Sequence, residues 1–235
     1  MKAHTFVGSD LHLGADFCQI DVALDFFEQL DCERLIIVGD FIEDNVAMEP
    51  GSAMDLQYQQ IMARLVRLQQ KNPPMEIIRI AGNHDDSGDD DVNKRLQIKT
   101  LDHYRWEAPN GKIFYFIHGH QWDGLTCKII SRVFLWFQRH DTRKKFFTRL
   151  LDRLHGWGLG LSEKVAKGAI KFARKNNIDV IFCGHAHELM DRTSKRRGHR
   201  VRYINCGHWT GPECSCFSMD GNGNHIESHF FYEKS

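Results

Sequence analysis

The chain has no Cys-x-x-Cys pair, and its seven cysteines are an odd number. A small secreted scaffold stapled by disulfides carries an even set at regular spacing, so that class is excluded. Cys18, Cys32, Cys127, Cys183 and Cys206 lie in or beside apolar stretches, as packed thiols do in a reducing compartment. Cys214 and Cys216, with His208 nearby, miss the spacing of the common structural zinc patterns. No apolar run precedes Val7, and no stretch reaches the ~18 apolar residues that span a bilayer. The expectation is a cytoplasmic protein, with peripheral contact at the inner membrane face as the membrane association left open. Internal repeats and low-complexity segments are absent too.

Net charge is also missing, with 31 basic residues against 31 acidic ones. The distribution is uneven. Residues 127–175 hold 13 Lys/Arg and 3 Asp/Glu, a balance of +10, which leaves 18 basic and 28 acidic residues elsewhere. That pattern reads as a basic segment set in an acidic body. At 235 residues the chain fits one large α/β domain, spanning 1–235, with an insertion.

Leu35-Ile36-Ile37-Val38 reads as a buried strand that meets Gly39 and stops on Asp40. A carboxylate at the end of an apolar strand is costly unless a cation holds it. The residues that follow, Phe41, Ile42, Glu43 and Asp44, supply none. Other strands end in the same way. Thr5–Gly8 runs into Asp10-Leu11-His12, Met75–Ile80 into Gly82-Asn83-His84-Asp85, Lys112–Ile117 into His118-Gly119-His120, and Ile178–Cys183 into Gly184-His185-Ala186-His187. Between them, residues 19–30 carry helically spaced Ile20, Leu24, Phe27 and Leu30. Ser52 with Asp55 resembles a capping box, followed by a stripe of Leu56, Ile61, Leu65 and Leu68 that ends at Pro73-Pro74. Residues 91–101 read as a short helix, Asn110-Gly111 as a hairpin turn, and residues 201–232 as β-rich around Gly221-Asn222-Gly223. The order is that of a layered α/β domain.

In α/β sheets the loops past the strand carboxyl ends converge on one crevice. Convergence would gather Asp, Asn and His side chains, a donor set suited to Mn, Fe, Zn or Co. Glycines at 8, 39, 82, 119 and 184 would allow tight turns there.

The blocks D-x-H, G-D, G-N-H-D, H-G-H and G-H-x-H, in this order, resemble those of the calcineurin-like metallophosphoesterases. The resemblance covers nearly the whole chain. It implies a four-layer α-β-β-α sandwich with a helical insertion. It implies one divalent ion held by Asp10, His12, Asp40 and His187, and a second held by Asp40, Asn83, His118 and His185, with Asp40 shared. Manganese is the first expectation for both. His84 is implied as a catalytic imidazole beside the reacting phosphate, with Asn83 and His84 as substrate contacts; Asp123, close after the H-G-H block, is expected to touch the substrate as well. Two such ions clamp the attacking and leaving oxygens of an in-line displacement, and water acidified by a metal replaces a Ser or Cys nucleophile.

The expected insertion, about 124–176, carries Phe134, Trp136, Phe137, Phe146, Phe147, Trp157 and Phe172 among its cations. It reads either as a helical hairpin buried on its own domain or as a lid with an apolar face and a cationic rim. A lid of that kind suits an acylated anionic substrate at a membrane surface. The S-D-L-H-L start, the helical insertion and Gly207-His208-Trp209 are similar to the UDP-2,3-diacylglucosamine hydrolases of lipid A synthesis within the same family. Those enzymes cleave a pyrophosphate to release UMP, and commonly have Arg where this chain has His84. The alternatives are a generic phosphodiesterase or nuclease of the same fold, and a non-catalytic metal-binding scaffold. Nucleic acid is the less expected partner, because the aromatics of the segment fall on helical apolar faces.

Overall fold

Alternation of apolar residues along the strands builds the core in three seams. The computed structural model describes residues 1–43, 49–85, 91–123, 159–196 and 198–232. The elements are β1 (Lys2–Gly8), α1 (Ile20–Gln29), β2 (Asp31–Val38), α2 (Ala53–Gln70), β3 (Glu76–Ile80), α3 (Asp91–Leu96), β4 (Thr100–Leu101), β5 (Tyr104–Glu107), β6 (Ile113–Phe116), α4 (Leu159–Lys175), β7 (Val180–Cys183), β8 (Met190–Arg196), β9 (His199–Asn205), β10 (Glu213–Met219) and β11 (Ile226–Tyr232).

One sheet runs β11-β10-β1-β2-β3-β4 and the other β5-β6-β7-β9-β8. Strands β1, β2 and β3 are parallel neighbours in the first sheet. Strands β6, β7 and β9 are parallel neighbours in the second. Val7, Ile36, Val38, Ile78 and Ile80 from the first sheet meet Phe114, Phe116, Val180, Phe182 and Ile204 from the second. The alternate residues Phe6, Leu35, Ile37 and Ile77 face outward onto the apolar sides of α1, α2 and α3. Tyr115, Ile181, Val201 and Tyr203 do the same for Ala166, Ala169, Ile170 and Ala173 of α4. The layers are therefore helix, sheet, sheet, helix.

Several local expectations change. Residues 91–101 are not one helix: α3 stops at Leu96, Gln97 turns with φ 53°, and Thr100–Leu101 pairs with β3. Leu56 is 56% exposed and leaves the stripe of α2, whose buried face is Tyr58, Ile61, Met62, Leu65 and Leu68. Ser52 caps α2 by accepting the Asp55 N–H, but the Asp55 carboxylate accepts from Gly51 rather than from Ser52, one residue off a capping box. Strand β8 is a further element at the sheet edge, polar at every position after Met190. Helix α4, the last part of the expected insertion, forms the fourth layer, and its Phe172 packs on Tyr115. The other aromatics of that segment lie outside the described residues.

Phe182 is fully buried between the sheets, stacked on Phe116 at 5.0 Å and edge-on to Phe217 at 6.0 Å. Phe182→Ala should cost about 3–5 kcal/mol in urea unfolding. Leu56→Ala should change stability by under ~0.5 kcal/mol.

Candidate metal centre

Strands β1, β2 and β7 each hand the chain to a loop that turns back sharply at its ligand-type residues. Of the seven non-glycine residues with positive φ among the described residues, five are Asp10 (55°), His12 (49°), Asp40 (48°), His185 (68°) and His187 (54°). The left-handed conformation is unfavourable for such side chains and gathers at functional sites. Here it aims the side chains of both sheets into one cleft. Asp10, His12, Asp40 and His118 are all buried.

The Asp40 carboxylate sits between the two halves. Its Oδ1 accepts the His84 N–H at 2.9 Å. Its Oδ2 lies 3.2 Å from His118 Nε2 and 3.7 Å from His12 Nε2. On one side, His12 Nε2 faces His187 Nε2 at 3.3 Å, and His187 Nε2 is 3.2 Å from Asp10 Oδ1. On the other, His118 Nε2 is 3.1 Å from Asn83 Oδ1.

The donor set fits divalent cations. His118 Nδ1 is committed to the Val38 carbonyl at 2.8 Å, so the neutral ring presents a lone pair on Nε2. That lone pair, the Asp40 carboxylate and the Asn83 oxygen are all acceptors. His12 repeats the pattern: Nδ1 donates to Glu43 Oε2 at 3.0 Å, which leaves Nε2 facing the Nε2 of His187. Lone pairs aimed at one another need a positive charge between them, a proton or a metal. Among the described residues, three trios have donor atoms within 4.8 Å of one another: Asp10, His12 and His187; His12, Asp40 and His84; and Asp10, Asp40 and His118. Without a metal, protons take that place. Burial works against charging His118, but Asp40 and Asp10 raise it to about 10. Burial also raises Asp10, yet His187 and His118 bring it to about 2.

The remaining expected residues fall around this cleft. His185 donates its main-chain N–H to both Asp10 oxygens, at 3.1 and 3.0 Å, and its Nε2 to Asp123 Oδ2 at 3.1 Å. Burial pushes the His185 ring below the usual imidazole range. His84 lies at the mouth, with its ring centroid 4.9 Å from that of His12. Asn83, His84 and Asp123 thus lie beside the cleft, Asp123 on the second-sheet side. The expectation that five glycines serve tight turns holds for Gly39 and Gly119, which have positive φ. Gly82 and Gly184 act otherwise: a Cβ there would run into the carboxylates of Asp40 and Asp10. They are glycine so that the two aspartates can lie flat against the opposite loop.

Glu43, Asp85 and His208 join the site from outside the expected set. Glu43 is buried and bridges His12 Nδ1, on Oε2 at 3.0 Å, and His84 Nδ1, on Oε1 at 2.8 Å. Burial raises its carboxyl, but the bonds and charge of His12 and His84 outweigh that and hold it at about 2. Its signal was present as the first carboxylate after Asp40, three residues on. Asp85 is fully buried and accepts N–H groups from Asp40 at 3.0 Å, Phe41 at 2.7 Å and Gly82 at 3.0 Å, with Arg79 Nη2 at 3.0 Å. The signal for Arg79 was a charge inside the apolar run of β3. His208 stacks on His187, with centroids 5.2 Å apart and planes at 15°. Nothing in spacing marks that contact.

The profile of the calcineurin-like phosphoesterases matches residues 4–189. The chain belongs to the calcineurin-like phosphoesterase family. No curated protein matches it. Among solved structures, hypothetical protein PH1004 from Pyrococcus horikoshii OT3 has a TM-score of 0.51 at 10% identity, covering 100% of this chain and 90% of that one. YfcE, a phosphoesterase from E. coli, has 0.44 at 15% identity, with 96% and 97% covered. Wild-type Vps29 from Entamoeba histolytica, solved with zinc, has 0.47 at 12% identity, also with 96% and 97% covered. As a calcineurin-like phosphoesterase, the chain is a metal-dependent hydrolase of phosphoesters, and its clustered acids and imidazoles are compatible with a divalent metal site.

Two predictions follow from the cleft. Arg79→Met leaves the buried Asp85 charge without its cation and should destabilise the chain by about 3–5 kcal/mol in urea unfolding. Glu43 ionises in the fold at about 2 rather than 4.5. A depressed carboxyl stabilises above its unfolded pKa and loses that contribution as pH falls through the folded value. In the metal-free protein, Glu43→Gln should therefore be less stable than wild type by on the order of 2–3 kcal/mol at pH 6, and the gap should close between about pH 4.5 and 2. Chemical denaturation across that range reads it.

Proposed function

We propose that this chain hydrolyses phosphoesters with two divalent cations that share Asp40. Asp10, His12, Asp40 and His187 hold the first, and Asp40, Asn83, His118 and His185 hold the second. The observation that carries the reading is the single Asp40 oxygen set between His12 Nε2 at 3.7 Å and His118 Nε2 at 3.2 Å. Manganese is the metal first expected, with iron, zinc and cobalt suited to the same donors. When bound, the cations supply Lewis-acid polarisation of the phosphoryl oxygens and a water ionised near neutral pH.

The chain's own residues do the rest. Glu43 fixes His84 by its Nδ1, which leaves Nε2 for the reacting phosphate. Burial opposes charge on His84, but Glu43 and Asp40 raise its pKa above the ordinary value. A charged imidazole at the mouth donates a proton to the leaving oxygen. Asn83 meets the rest of the substrate, while Asp123 is turned to the His185 ring.

For the substrate we infer a pyrophosphate linking a nucleotide to an acylated sugar, as in UDP-2,3-diacylglucosamine. Support comes from the sequence resemblance: the S-D-L-H-L start and the Gly207-His208-Trp209 tail. The basic segment 127–175 would meet an anionic lipid surface at the inner membrane face. No described helix is long and apolar enough to cross a membrane.

Hydrolysis of UDP-diacylglucosamine should be compared with that of bis(p-nitrophenyl) phosphate and single-stranded DNA, with chelator and with added manganese. The expected outcome is UMP release that chelation abolishes and manganese restores. Hydrolysis of the generic diesters alone would return the substrate to the wider class, and activity that survives both chelation and Asp40→Ala would overturn the two-cation reading. His84→Gln should lower kcat by about 10²–10⁴-fold.

A further inference from the structure

We propose that Asp123 is a positioning residue for His185, fixing which ring nitrogen that histidine presents to a divalent cation. The proposal rests on the two-cation reading above. Asp123 closes the short 3-10 turn His120–Trp122 that follows β6, and its side chain is 5% exposed. Its Oδ2 accepts the His185 Nε2–H at 3.1 Å. The backbone of His185 is pinned independently by the two Asp10 oxygens, at 3.1 and 3.0 Å. The residue is thus held at both ends, main chain by one carboxylate and ring tip by another. With Nε2 committed as a donor, Nδ1 is the ring atom that keeps a lone pair for a cation. This differs from His12 and His118, whose Nδ1 atoms are engaged and whose Nε2 atoms face the cleft. Asp123 therefore selects the opposite nitrogen of His185.

A second observation separates this role from simple packing. Asp123 Oδ1 is buried and has no hydrogen-bond partner among the described residues. A buried carboxylate left half-satisfied costs the fold stability. Folding alone does not account for it. The turn that carries it is rigidly seated: Trp122 packs on Phe172 of α4 at 5.8 Å, and a Cβ at Gly168 would run into the Trp122 ring. That seating keeps the carboxylate in place despite its unpaired oxygen. Carboxylates that orient a ligating imidazole in this way typically contribute 10–100-fold to metal affinity.

The test titrates Mn²⁺ into the metal-stripped full-length chain by calorimetry, and follows thermal unfolding of the metal-free protein. Wild type should bind two ions. Asp123→Ala should weaken one of them 10–100-fold and leave the other unchanged. Asp123→Asn, whose amide oxygen still accepts the Nε2–H, should recover most of that loss. The metal-free Asp123→Ala protein should melt no lower than wild type. Two ions bound with wild-type affinity in Asp123→Ala would overturn the proposal and leave the two-cation reading intact. A lowered metal-free melting temperature with unchanged metal affinity would assign Asp123 to the fold instead. Unchanged metal affinity with a raised KM would assign it to the substrate. A wild-type chain that binds one ion or none would overturn the two-cation reading and this proposal with it.

Discussion

One buried carboxylate sets the geometry on which the cleft depends. Asp85 accepts three short backbone hydrogen bonds, from Asp40, Phe41 and Gly82, and a longer one from Ile42 at 3.4 Å. It thereby ties the loop after β2 to the loop after β3. Its charge is balanced by Arg79, whose Nη1 is held in turn by Asn93 Oδ1 at 3.2 Å. Asn93 meets Thr100 at 2.9 Å, so the chain of contacts reaches α3 and the edge strand β4. Burial still raises the Asp85 carboxyl above its usual range. A buried ion pair of this kind specifies geometry more than it stabilises. What it specifies here is the position of Asp40, and through Asp40 the spacing of both halves of the cleft.

The same economy explains the backbone. Five of the proposed ligands adopt left-handed conformations that a side chain disfavours by about 1 kcal/mol each. Such strain persists only where surrounding contacts over-determine it. Asp40 is fixed by Asp85, Asp10 by the His185 N–H, and the loop of His12 by N–H bonds from His12 and Leu13 to the carbonyls of Asp40 and Phe41, each at 3.0 Å. The imidazoles are oriented by acceptors on their far nitrogens: Glu43, Val38 and Asp123. Asp10, His12, Asp40, His118 and His185 are thus gripped from behind before any cation arrives, the condition for a site that does not reorganise on binding.

The residues that line the cleft were legible because each ends an apolar strand, where a polar side chain demands a reason. Asp40 after Val38 and His185 after Cys183 are of that kind. Most strands were legible from the β-branched and aromatic runs, and their division into two sheets came from the family resemblance, although β8 escaped because an edge strand such as Met190–Arg196 needs no apolar face. The helix expected over 91–101 failed where Gln97 turns and the chain pairs with β3. Leu56 misled because helical spacing does not say which side of α2 meets the sheet. The supporting contacts were the least legible. Glu43 lies in a loop, so no periodicity places it, and His208 reaches His187 only through the fold.

The proposed ligands are divided between the two sheets: Asp10, His12, Asp40 and Asn83 follow strands of one, and His118, His185 and His187 follow strands of the other. Between the sheets the interior is greasy contact, which resists separation but has little directional preference. Cations seated across that divide would act as rivets at one rim of the sandwich, adding direction where the interior has none. Losing them would leave the rim held by its own hydrogen bonds and the interior closed, so inactivation on chelation would precede unfolding as a separate, reversible event.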